Sequence, residues 1–122
     1  MVMVASSRDA FVGVLDKAQL GRGKVVAVTR EDDDGPYDLT LVEVSPTTPG
    51  FIRTIETRKG VAADKNLSAA IGEFTRQSGA PVLLRRHNGQ GEQLRCQWVL
   101  TDSALNPVLV GGRPVTGAYN RI

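Results

Sequence analysis

One cysteine, Cys96, excludes an internal disulfide framework from this 122-residue chain, and suits a reducing compartment. One histidine, His87, is the sole imidazole that could serve Cys96 as a base. Aromatic residues make up only 5% of the chain, so few rings are available to stack nucleic-acid bases. No apolar run approaches the length of a membrane span. Met1–Ala5 is apolar but too short for a signal segment, and Ser6, Arg8 and Asp9 follow at once. A soluble, cytoplasmic protein with no membrane association is expected. Charge of one sign is also lacking: 15 basic against 13 acidic residues leave +2. That is a weak excess for a nucleic-acid binder, although its arrangement counts for more than its total.

Internal similarity is the strongest positive feature. An offset of 56 residues lays Phe11, Val14, Leu15 and Ala18 on Leu67, Ala70, Ile71 and Phe74. The same offset lays Val26 and Val28 on Val82 and Leu84, Arg30 on Arg86, and Ile52 and Thr54 on Val108 and Val110. This predicts one domain over 1–122, built as a tandem αβββ-αβββ duplication with pseudo-two-fold symmetry. The repeats would cover 6–61 and 62–117. The fold class is α+β, with antiparallel sheet covered on one face by two helices. A repeat of this size alone would bury only about 60% of its unfolded surface, so the halves should share a core.

Local signals place the elements. Ser6 with Asp9 forms a capping box ahead of the first helical stripe, and Gly21 and Gly23 end it. Lys24–Arg30, Tyr37–Val44 and Phe51–Arg58 read as strands. Asp64 or Asn66 caps the second helix and Gly79 stops it. Pro81–His87 and Gln93–Thr101 form a hairpin around Asn88-Gly89-Gln90-Gly91. A last strand runs to about Val110, with a loosely held tail beyond.

Alternation within the second hairpin suggests an apolar face of Val82, Leu84, Leu94, Cys96, Trp98 and Leu100. His87 would then lie on the opposite face from Cys96, which disfavours a catalytic pair. That opposite face, with Arg85, His87, Arg95 and Gln97 and extended by Arg53, is the candidate anion or nucleic-acid surface. Carrying the parity into the first hairpin leaves Val25, Ala27, Tyr37, Leu39 and Leu41 on an uncovered face. Such an apolar patch marks a partner interface. The competing reading is a one-residue register change that turns Leu39 and Leu41 inward.

The chemical motifs are weak. Glu31-Asp32-Asp33-Asp34-Gly35 has consecutive carboxylates, not the alternate oxygens of a calcium loop. Gly21-Arg22-Gly23-Lys24 follows a helix, whereas a phosphate loop precedes one. No catalytic residue, cofactor or metal site is expected. The sequence points to a non-enzymatic macromolecule-binding protein acting by protein–protein association, as a homo-oligomer or with a protein partner. Nucleic-acid binding is the alternative, and a small enzyme or ligand binder without a recognisable motif is the second.

Overall fold

The computed structural model describes residues 6–31, 34–48, 51–88 and 94–121, with backbone alone at 77, 88, 94, 95, 120 and 121. Helix α1 spans Ser7–Lys17. The Ser6 hydroxyl accepts the Asp9 N–H at 3.1 Å, which satisfies one of the helix's open donors. Ala10, Phe11, Val14 and Leu15 form its buried stripe. Strands β1 (Lys24–Thr29), β2 (Tyr37–Val44) and β3 (Ile52–Val61) follow, then α2 (Lys65–Ser78). The Asp64 carboxylate caps α2 by accepting the Asn66 N–H at 2.8 Å. Gly79, at φ 65°, ends the helix in the left-handed conformation that glycine adopts without strain. The chain then forms β4 (Val82–Asn88), β5 (Leu94–Thr101), β6 (Leu109–Val110), β7 (Arg113–Pro114) and β8 (Thr116–Arg121). Among the described residues, no helix is long and apolar enough to cross a membrane.

The fold is α+β. Six strands make one sheet in the order β3-β2-β1-β4-β5-β8. Neighbours are antiparallel except β1 and β4, which run parallel at the centre with Val26 opposite Val82 and Val28 opposite Leu84. β6 and β7 pair with each other as a small separate ribbon.

The helices lie on opposite faces of this sheet, not on one. Phe11, Val14 and Leu15 of α1 share a core with Val25, Ala27, Val42, Leu83, Cys96, Trp98 and Tyr119. Leu67, Ile71 and Phe74 of α2 share the other with Val26, Val28, Leu39, Leu41, Val82 and Leu84. α1 packs against β5 and β8, and α2 against β1, β2 and β3. The central strands are accordingly buried at consecutive residues, Val25–Val28 and Val82–Leu84, as expected where both faces are covered.

This arrangement corrects the expected interface. In the β1–β2 ladder, Val26 pairs with Leu41 and Val28 with Leu39. Even positions of β1 therefore share a face with odd positions of β2, which is the alternative register. Leu39 and Leu41 lie under α2, and Val25 and Ala27 lie on the α1 side. All four are buried within the chain. Tyr37 is half-buried, with the Arg30 guanidinium 4.6 Å from its ring centroid. None of the four buried side chains is available as surface.

Three further differences concern the second half. Its hairpin is longer: Val28 and its partner Leu39 are 11 positions apart, Leu84 and Val99 are 15. The 56-residue offset therefore needs a four-residue gap after β4. Its third sheet strand is β8, while Leu109–Val110 belongs to the separate ribbon. The tail is paired with β5 as far as Arg121 instead of loosely held. Asp32, Asp33, Pro49 and the turn residues Gly89, Gln90 and Gly91 lie outside the described residues.

Close contact between α1 and β8 depends on Gly117. A Cβ there would sit 2.5 Å from the Ala10 carbonyl oxygen and 3.2 Å from Val14 Cγ2. Lys17 Nζ also donates to the Thr116 carbonyl at 2.9 Å.

Candidate functional site

The five expected basic-face residues do not form one surface. Arg85 pairs with Trp98 and His87 with Cys96, which places them on the α1 side of the sheet. Gln97 pairs with Arg86 and belongs to the α2 side. Arg95 pairs with Asn88, and its side chain lies outside the described part. Arg53 is on the far edge strand β3, bonded to Glu43 at 3.0 Å. The reason is the same odd register that moved the apolar residues.

The register also joins the two side chains that parity had separated. Cys96 Sγ lies 3.4 Å from His87 Nδ1, and His87 Nε2 lies 3.4 Å from the Arg30 carbonyl. Cys96 is 1% exposed, so its thiol has no open approach for a substrate. On the next strand, Tyr119 lies opposite Cys96. Burial pushes the Tyr119 phenol above its ordinary value. Trp98 Nε1 donates to Ser7 Oγ at 3.2 Å, and Phe11 meets the Trp98 ring edge-on at 4.9 Å. Arg85 Nε is buried without a hydrogen-bond partner among the described residues. This cluster ties the start of α1 to the sheet.

The open surface is at the other end of the sheet. β3 is an edge strand, and its residues 53–60 are all exposed. Its two faces differ in chemistry. On the α2 side, Arg53 pairs with Glu43, and Arg58 bonds Glu73 at 2.8 Å while lying 5.3 Å from the Phe74 ring centroid. On the α1 side, Ile52, Thr54 and Thr57 stand beside Val44, Val42 and Thr40. That row carries no charge. Next to it runs a groove of about 370 Å³, lined by Phe11, Ala27, Val42, Ile52 and Trp98 with Ser7 and Arg8 at its rim.

Comparison with protein-family models, with curated proteins and with solved structures gives no match. The geometry must speak alone.

Two details of β3 decide how a partner would meet it. The ladder shifts between Leu41 and Val42, which leaves Ile55 as the extra residue of a bulge, and shifts again between Tyr37 and Leu39. Bulges and exposed Arg and Lys are devices that discourage strand-to-strand pairing at an edge. Arg53, Arg58 and Lys59 supply those charges. The backbone edge is therefore a poor docking site, and the uncharged α1-side face is the better one. Sequence reasoning missed this surface because it treated the first-half sheet as having one covered and one open face.

Proposed function

We propose that this is a non-enzymatic protein that binds another protein chain, through the α1-side face of β2 and β3. The observation that carries this reading is the uncharged row of exposed Thr54 and Thr57 with half-buried Ile52 and Thr40, beside the groove whose floor is the buried Phe11, Ala27, Val42 and Trp98. Exposed Ile55 is the bulge residue of the same strand. An open, uncharged strand face with an apolar groove beside it favours association. Self-association into a homo-oligomer is the version to test first. Sedimentation of the wild type should show a mass above that of the monomer, and Thr54→Glu should return it to the monomer. Thr54 is exposed, so the variant keeps its fold. A strict monomer at high concentration overturns the self-association version.

The chain is further proposed to be one domain formed by a tandem αβββ duplication with pseudo-two-fold symmetry. Three observations support this. Residues related by the offset of 56 pair directly across the sheet centre, as with Val26 and Val82. Strand order reads outward as β1-β2-β3 on one side and β4-β5-β8 on the other. Each helix makes most of its close contact with strands of the opposite half. An axis lying in the sheet, parallel to β1 and β4, would exchange the halves and swap the two faces. Since Val26 and Val82 share the α2 side, the strands would then correspond one residue away from the offset of 56.

A further inference from the structure

Parallel β1 and β4 end side by side, and their carboxyl ends open into a cleft on the α2 side. Ligands of sheets with parallel strands characteristically bind beyond such carboxyl ends. The cleft is about 270 Å³ and is lined by Arg30, Tyr37, Leu84, Arg86 and Leu105, with Arg85 and His87 bordering it. Arg30 and Arg86 stand at positions related by the offset of 56. Neither makes an ion pair among the described residues, and no described carboxylate lines the cleft. The Arg30 guanidinium packs over the Tyr37 ring, which fixes its plane while leaving in-plane N–H groups to donate.

A second cleft of about 310 Å³, toward the start of α2, shares Tyr37 and Leu105 with the first. Its lining adds Leu67, Ser68 and Ser103, together with Asp64. The Asp64 carboxylate is already engaged in capping the helix. The two adjoining clefts thus place two arginines at one end, Tyr37 and Leu105 between, and two hydroxyls at the other. Each part lies near the lower limit for a small-molecule site.

We infer that the two clefts together bind a small organic phosphate of the nucleoside monophosphate class. The phosphate sits between Arg30 and Arg86, the body lies over Tyr37 and Leu105, and ribose or base polar groups reach Ser68 and Ser103. Charge separates this ligand from a nucleic-acid strand. Four consecutive acidic residues, Glu31–Asp34, begin directly after Arg30, and they repel an extended polyanion more than a compact one. The site is distinct from the α1-side association surface and stands without it.

The test is thermal stabilisation and calorimetry of the full chain with the four ribonucleoside monophosphates, their unphosphorylated nucleosides, and a single-stranded oligonucleotide. At least one monophosphate should raise the melting temperature at millimolar concentration, with its nucleoside giving no shift. Arg86→Gln, at an exposed position, and Arg30→Gln should each weaken binding about tenfold, the loss of one charge-assisted contact. Ser68→Trp should block the far end and weaken binding while leaving the free protein's melting temperature unchanged. The inference is overturned if no monophosphate binds, if a nucleoside binds as tightly as its phosphate, or if both arginine variants retain full affinity. It is also overturned if the oligonucleotide binds at lower concentration than every monophosphate, which would restore the nucleic-acid reading.

Discussion

Gly117 illustrates how a single side chain governs the α1 contact. Its missing Cβ lets the Ala10 carbonyl approach the sheet, so Gly117→Ala should force the helix outward and cost about 1–3 kcal/mol, measured by denaturant unfolding. Leu39 tests the register. It is fully buried under α2, so Leu39→Ala should destabilise by about 2–5 kcal/mol. A surface leucine would cost almost nothing. Tyr119 reports its own environment through pH. Its folded-state pKa is raised, chiefly by burial, so the neutral phenol favours the fold below the ordinary tyrosine value. That contribution is lost as pH rises through the raised value. Ultraviolet titration should show a phenol ionising late, and Tyr119→Phe should remove that late phase.

Elements differ in how plainly the sequence announces them. Both helices are legible because their stripes recur every three or four residues behind a capping side chain. Gly79 stops α2 as expected, whereas α1 ends at Ala18 with Gln19, not a glycine, in the left-handed conformation. The central strands carried a signal that alternation obscures: Val25-Val26-Ala27-Val28 and Val82-Leu83-Leu84 are continuous apolar runs, which indicate cover on both faces. Hairpin register is harder, since it depends on how many residues the turn consumes. A change of one position moved Leu39, Leu41 and Cys96 to faces other than those expected, bringing Cys96 onto the face of His87. The groove and the Arg30–Arg86 cleft join residues far apart in the chain, and no local motif marks either. Hydrogen exchange should reflect the same hierarchy. Amides of β1 and β4, paired on both sides and buried, should exchange last. Those along the outer edge of β3 should exchange early, and partner binding on the α1-side face should slow them.

Across the whole molecule, the two halves exchange their cover. α1 belongs to the first half and packs on β5 and β8 of the second, while α2 packs on β1, β2 and β3 of the first. Each helix also meets its own half, α1 through Val25, Ala27, Val42 and Val44 and α2 through Val82 and Leu84, so both cores are shared between the halves. A fragment ending at Ala62 should therefore be unfolded alone, as should one beginning at Ala63. Mixed in equal amounts, the two should regain helical circular dichroism and the near-ultraviolet signal of Trp98. Independent folding of either fragment would count against an interlocked core.

The same interlocking sets an order in time. Lys17 and the Thr116 carbonyl it bonds are 99 residues apart in the chain. At synthesis rates of roughly 5–20 residues per second, α1 waits on the order of 5–20 s for the strand it rests on. During that interval Phe11, Val14 and Leu15 have only Val25, Ala27, Val42 and Val44 to pack on, and the nascent chain carries a half-sheltered amphipathic helix. Translation speed through β5 and β8 thus sets how long the growing chain is open to aggregation.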